Sequence, residues 1–477
     1  GDVPHSLLTV VGPNYPFIVD SVTEWLTGES IDVPQLFYGT VPERVLGSTD
    51  DPPETFLLTL FTENLPEDRL RSLEGSLTDV LADIQAAVMD FGSMTDQVRA
   101  LAADLAEIEP RTAGEVPPAN RPGTASDFLE YLLDENFVFL GAFQAQEDTA
   151  HSYANRLGIC REDRGLDLTA LDPTQPETSE DGNLINFYKT NVKSRVYRRE
   201  RLDSVTVTPP ESETSFVLLG LFTNHVLAQP AVQIPVLHEK FQVLVNREGI
   251  SEHTHSYRDF YAIFNSMPKH LLLMSSVEDI LEDLNSILSV RGERTFKLRA
   301  RPIPFRQGLS LMILMERDRF SGDVRKEMQN LIEEEFEASS IDYHLSLGGG
   351  ALARLHFDVE TERLKPLHSS YDQLEERLFD MTRNWEDRFN DALRDQFSSD
   401  RAGDLFERYG SVFGEDYRAL VEPDVAPQDA ENLRVLEEEE VDRPILELSN
   451  PEDKETNRFV IYDREKHSLN DTLPILS

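Results

Sequence analysis

Cysteine is nearly absent: Cys160 is the single one in 477 residues. That excludes an intrachain disulfide and any zinc or iron–sulfur site built from several cysteines, and it fits a reducing, cytoplasmic compartment. Lysine is scarce too. There are nine lysines against 36 arginines, and none precedes Lys189. No apolar stretch reaches the roughly eighteen residues of a membrane span, so no membrane partner is expected. The first residues hold neither a basic region nor an apolar signal core. They also lack an initiator Met, and residues 468–477 break off in what reads as the start of a helix. A piece of a longer protein is expected. Also missing are a dinucleotide fingerprint, a phosphate loop and a Gly-x-Ser-x-Gly elbow.

Acid is what the chain has in excess. Asp and Glu number 88 against 45 Lys and Arg, for a formal net charge of −43. Such a surface disfavours nucleic acid, whose phosphates need basic contacts. Apolar residues make up 39% and recur on clear faces, which argues against a disordered acidic chain. A folded protein adapted to a high-salt cytoplasm fits best, because salt screens the self-repulsion while the charge keeps the protein soluble.

The apolar periodicity sets out the organisation. Residues 1–108 read as strand, helix, two strands and a long helix whose inner face repeats Leu73, Leu77, Val80 and Ile84. That β-α-β-β-α order is most of a ferredoxin-like sandwich. Residues 109–124 are rich in Pro, Gly and Ala and form a linker. Residues 125–275 open on a helix with Ser126 or Asp127 as cap, continue through buried strands, and close on helices ending near Gly249 and Pro268. Residues 276–362 follow the order α-β-β-α-β-β, a circular shuffle of the first pattern, with a hairpin around Gly348, Gly349 and Gly350. Residues 363–434 are helical. There Leu374, Leu378, Met381, Trp385, Phe389 and Leu393 predict one long helix, and 404–421 a shorter one. Residues 435–477 hold two strand candidates. The fold class is therefore α+β: several ferredoxin-like modules joined by helical segments.

Residues 10–26, VVGPNYPFIVDSVTEWL, pass from strand through a Gly-Pro-Asn turn into a helix. Ile18, Val22, Trp25 and Leu26 share its inner face, and Asp20, Ser21 and Glu24 take the other side. Pro16 suits the first helical position, with Asn14 and Tyr15 at or beside the cap. Free N–H groups and the positive dipole end fall at residues 13–18, where a carboxylate can bind. The same turn can equally serve as a plain connection, with Asn14 as turn and capping residue and Asp20 as a dipole partner.

Two other clusters stand out. His253 and His255 come nearest to a metal pattern. They lie in a polar turn, where i, i+2 spacing does not share a face, so they read as a surface pair and no metal is assigned. KSRVYRRER gathers Lys193, Arg195, Arg198, Arg199 and Arg201. It suits an anionic effector or an acidic neighbouring domain, or else an exposed strand matched to nearby acids.

PNYPFIVDSV, FLGAF, FYKTNVKSRVYR, IPVLHEKFQVLVNREGI, YAIFNSMPKHLLL and FSGDVRKEMQNLIEEEF follow one another in order, and RFVIYDREKHSLNDTLPIL comes near the end. This succession resembles the N-terminal region of the large bacterial NAD-specific glutamate dehydrogenases, over about residues 5–476. The resemblance implies ACT-like modules at 1–108, 125–275 and, permuted, 276–362. It also implies a catalytic core beyond these residues, so no catalytic residue and no cofactor are assigned here, and NAD belongs to the parent enzyme. Implied partners are the chain's own catalytic region, the other subunits of a homo-oligomer, and an amino-acid effector. ACT modules commonly bind amino acids at the turn after their first strand, which marks Asn14, Tyr15, Asp20 and Ser21 as candidate effector contacts. A stand-alone amino-acid sensor and a purely architectural module are the alternatives.

Overall fold

Alternation shapes the first sheet. In β1 (His5–Pro13) Val10 turns inward while Leu7 and Val11 stay exposed. After α1 (Ile18–Gly28) come β2 (Gln35–Val41) and β3 (Thr55–Glu63), and the antiparallel sheet runs in the order β1-β3-β2. The helix starts two residues later than Pro16 suggested. Phe17 takes a left-handed conformation at the N-cap (φ 69°), which interrupts the helical path, so Asn14 and Tyr15 lie before the cap. The computed structural model describes residues 5–33, 35–41, 55–108, 117–146, 152–171, 184–210, 212–289, 296–303, 308–347, 352–361, 371–438, 444–449 and 458–464. They fall into two compact units, residues 1–314 with 333–367, and residues 315–332 with 368–477.

In the first unit, α2 (Glu67–Ala106) is a 40-residue helix, about 60 Å long at 1.5 Å per residue. Its first half puts Leu73, Leu77, Val80 and Ile84 into one core with α1 and the first sheet. Its second half puts Met94, Val98, Ala102 and Leu105 into another. Next, α3 (Pro122–Tyr131) begins earlier than the expected cap, because Pro122 occupies the first turn and needs no N–H partner there. Ser126 instead donates to the Ala102 carbonyl at 2.8 Å, fastening α3 to α2.

Five strands follow: β4 (Phe137–Gln146), β5 (Tyr153–Gly158), β6 (Ile185–Lys193), β7 (Arg201–Val207) and β8 (Thr214–Phe222). They form an antiparallel sheet in the order β5-β4-β8-β7-β6. Both of its faces are covered. Phe137 and Leu218 belong to one core, and Leu140, Phe143 and Leu219 to the other. That double burial explains the near-continuous apolar runs of β4 and β8. Gly158 (φ 60°) ends β5 where a Cβ would lie 2.1 Å from the Leu140 carbonyl oxygen, so only glycine fits. Its N–H donates to buried Asp90 at 2.7 Å, and Arg161 grips the same carboxylate at 2.6 and 2.7 Å. Burial alone would raise the Asp90 pKa, but these donors hold it below the usual range.

Helices α4 (Asn224–Ala228), α5 (Pro235–Arg247), α6 (His255–Ser266), α7 (Lys269–Met274) and α8 (Val277–Ser289) come next. Buried Lys240 of α5 donates to the carbonyls of Leu272, Leu273 and Ser275 at 2.9, 2.8 and 2.8 Å, which satisfies the end of α7 and fixes its position.

Then β9 (Phe296–Pro302), β10 (Gly308–Glu316), α9 (Gly322–Phe336), β11 (Ser340–Ser346) and β12 (Leu352–Glu360) give a sheet in the order β11-β12-β10-β9. Reading β12 as a first strand and α8 as the helix after it turns this into a β-α-β-β-α-β sheet with the chain opened at a different point. The expected hairpin is there, β11 pairing antiparallel with β12, while its glycines 348–350 lie outside the described residues.

In the second unit the predicted long helix is two, α10 (Tyr371–Asp380) and α11 (Trp385–Gln396). Asn384 breaks the run: its side chain accepts from the Asp387 N–H while Asp387 accepts from its own, a reciprocal capping box. The second predicted helix also divides, into α12 (Ser399–Tyr409) and α13 (Glu415–Leu420), around Gly410 and Gly414. Phe389, Leu393, Leu405 and Phe413 form the core there. A further helix, α14 (Ala426–Glu438), lies mostly within the segment expected to be helical, runs four residues past its expected end at 434, and precedes the antiparallel pair β13 (Ile445–Ser449) and β14 (Arg458–Tyr462). Its Arg434 is matched to Glu431 and Glu438. No helix among the described residues is long and apolar enough to cross a membrane.

Candidate functional site

The basic cluster of the sequence lies between β6 and β7. Residues 194–200 leave the ladder there, and Ser194 closes a local turn by exchanging hydrogen bonds with Val196 at 2.7 and 3.0 Å. Tyr197, left-handed at φ 70°, follows. Its N–H donates to the Ser21 hydroxyl at 2.8 Å, and that hydroxyl donates to the Phe17 carbonyl at 2.6 Å. The Tyr197 ring lies 5.3 Å from the Phe17 ring. Two residues in a conformation that non-glycines seldom adopt therefore meet where the opening turn touches the basic loop. Such paired strain persists only when the surroundings fix it, and it concentrates at functional places.

The loop's cations divide into two groups. Arg195 reaches Asp83 at 3.3 Å, and Arg198 reaches Glu200 at 3.2 Å and the Asn224 side chain at 3.0 Å. Arg201, buried, binds Glu360 at 2.6 Å and the Ser340 hydroxyl at 3.1 Å, so it joins β7 to β11 and β12. Arg199 lies over Gly28, so closely that a Cβ there would fall 1.5 Å from its guanidinium. Lys193 and Arg199 have no carboxylate partner among the described residues.

Beyond the loop opens a cavity of about 440 Å³, walled by the ends of β6 and β7, by α7 and by β11 and β12. Lys269 of α7 lines it and donates to the Leu227 carbonyl at 2.8 Å. Burial lowers its pKa. His344 and His356 face each other across the β11–β12 register, and His270 meets Asp358 at 3.1 Å. Burial, then His344 and Arg354, push the pKa of His356 down to about 3. His356 is neutral at ordinary pH, and its buried Nε2 has no hydrogen-bond partner among the described residues.

The structure treats the four candidate effector residues separately. Asn14 accepts from the Tyr38 hydroxyl at 2.8 Å, Tyr15 is half-buried, and Asp20 is exposed in the first turn of α1. Ser21 is buried, and it alone of the four lines a smaller cavity of about 310 Å³ with Trp25, Arg195 and Arg199. His253 and His255 are exposed. Sequence reasoning missed Lys269, His270, His344 and His356 as neighbours, since they are spread over some 90 positions. The scarcity of lysine was the one available signal: three of the nine line the larger cavity.

Small antiparallel sheets and helical motifs strung along one chain, with a cationic cavity between two of the sheets, define a multi-module α+β protein. The chain matches three family profiles: the ACT2 domain of glutamate dehydrogenase over residues 297–386, its helical motif 1 over 234–293 and its helical motif 2 over 392–436. The NAD-specific glutamate dehydrogenase of Halomonas elongata is 26% identical over 99% of this chain and 31% of its own length. That of Pseudomonas aeruginosa is 22% identical over the same shares, and that of Mycobacterium tuberculosis is 22% identical over 83% of this chain and 24% of its own. The chain belongs to the large NAD-specific glutamate dehydrogenase family, and it spans about a third of the length of the first two relatives. The described sheets are antiparallel. They do not form the crevice beyond parallel strand ends in which a dinucleotide lies, and no contact to NAD is assigned to these residues.

Proposed function

We propose that this chain is the N-terminal regulatory and oligomerisation region of an NAD-specific glutamate dehydrogenase. The parent enzyme interconverts L-glutamate and 2-oxoglutarate with NAD and releases ammonia, in the cytoplasm of a salt-adapted bacterium. The observation that carries this reading is how the likeness divides. The chain is matched over 99% of its length by a relative of which it covers 31%, and the profiles it matches are an ACT domain and two helical motifs. An amino-acid effector is proposed at the opening turn, with its carboxylate on the uncapped N–H groups of α1 and its ammonium near Asn14 or Asp20, beside Tyr15 and Ser21. The pairing of Phe17 with Tyr197 supports this place, because it ties the turn to a second module.

A purely architectural role is the second reading. It is favoured by the exposed apolar outer face of the first sheet, which includes Leu7, Val11, Phe37 and Leu57. Patches of this kind mark contact surfaces, and a second copy of the chain is the proposed occupant. Calorimetry with the common amino acids in molar salt separates the two. The regulatory reading expects saturable heat from at least one, lost in Asp20→Ala, whereas silence from all leaves the architectural role. Light scattering of Phe37→Glu checks assembly, with a fall in particle mass expected. NADH formation from glutamate by the isolated chain would overturn both readings.

A further inference from the structure

The cavity of about 440 Å³ is within the size range of small-molecule sites and too large for a single ion. Its charges do not cancel. Four carboxylates line it, and each already faces a partner: Asp203 on Lys189 at 2.8 Å, Glu200 on Arg198 at 3.2 Å, Asp342 on Arg201 at 3.6 Å and Asp358 on His270 at 3.1 Å. Arg201 is further matched by Glu360. Lys193, Arg199 and Lys269 remain without an acidic partner among the described residues.

This surplus sits in a chain of net charge −43, which has carboxylates available almost everywhere else. It is built in part from lysine, which the chain otherwise nearly dispenses with. Arginine serves as well as lysine for general solubility. A lysine is a compact point charge that can turn its three donors toward a ligand. Beside these cations stands His356, 4% exposed, with Nε2 unpartnered among the described residues. A buried polar atom left without a partner is unfavourable, and a ligand oxygen or hydroxyl in the cavity would relieve that cost.

We infer that this cavity binds a small organic anion bearing two or more carboxylate or phosphate charges, held by Lys193, Arg199 and Lys269 with His356 Nε2 as a hydrogen-bond contact. The site is separate from the proposed amino-acid turn and does not depend on a catalytic region. One rim is shared: Tyr197, anchored on Ser21, lies in the same loop as Arg198 and Arg199, so occupancy of the cavity and the position of α1 are mechanically linked.

The test is calorimetric titration of the whole chain at fixed ionic strength with succinate, inorganic phosphate and pyrophosphate, and with acetate as a singly charged control. At least one multiply charged probe binds saturably, one per chain, and acetate does not. A preference for succinate identifies a dicarboxylate, and a preference for the phosphates a phosphoryl compound. Lys193→Gln and Arg199→Gln, both at exposed positions that leave the fold intact, each weaken binding about tenfold or more, and Lys269→Ala does the same. Lys326→Ala, an exposed lysine on α9 outside the cavity, leaves it unchanged. Absence of saturable heat from every probe overturns the inference. So does an equal loss in Lys326→Ala, since the binding would then follow net charge.

Discussion

His356 shows how one residue ties the cavity to stability. An unfolded histidine takes up a proton below about pH 6.5, whereas His356 stays neutral in the fold down to about 3 because burial disfavours its charge. Between those values the unfolded state binds more protons, so stability is complete above pH 6.5 and declines as the pH falls. The limiting slope for one such group is about 1.4 kcal/mol per pH unit. Denaturant midpoints at intervals between pH 7 and about 5, above most carboxylate titrations, are expected to fall less steeply in His356→Leu than in the parent chain. Identical slopes would mean that His356 already titrates normally. The sequence held no sign of this, because the burial comes from strands that pair 12 residues apart, at His344 and His356, and from the α7 residues that line the same cavity.

At the scale of elements, the β6–β7 loop is the joint. Ser21 and Phe17 hold it on one side, Gly28 leaves room for Arg199, and Arg201 crosses to Glu360 and Ser340 on the other. Arg201 is buried but Glu360 is only half-buried, so removing the arginine leaves a partly solvated carboxylate and costs about 1–3 kcal/mol, less than for a fully buried pair. Arg201→Ala is expected to lower the unfolding free energy by that amount in urea titration. Arg195→Ala, at an exposed position of the same loop, should change it by less than about 1 kcal/mol. Equal effects would mean that Arg201 is no better buried in solution than its neighbour. Of the roles weighed for the basic cluster, the match to nearby acids holds for Arg195, Arg198 and Arg201, while Arg199 lies over Gly28 instead.

For the whole molecule, the net charge of −43 governs the response to salt. Repulsion among surface carboxylates opposes the folded state, and the screening length shrinks from about 10 Å at 0.1 M to about 3 Å at 1 M. The thermal midpoint is expected to rise with potassium chloride up to molar concentration, and a flat or falling midpoint would remove the case for salt adaptation. The modules themselves depend less on charge, since their cores are apolar and the long helix α2 runs through two of them.

Much of this was readable from the chain alone. Apolar periodicity gave the strand–helix–strand–strand–helix opening, the shuffled order at 276–362 and the α+β class, because each face that must be buried writes its own repeat into the sequence. Local chemistry accounted for less: the helix over 371–396 breaks at Asn384, whose capping box competes with a continuous apolar stripe and wins. Tertiary structure decided the cavity. Cations at 189–201 and 269 and histidines at 344 and 356 meet only because β7 is fastened to β11 and β12 through Arg201 and because Lys240 fixes the end of α7. Contacts of that span leave no local pattern behind, since each residue alone is only a charge or a ring at an ordinary position.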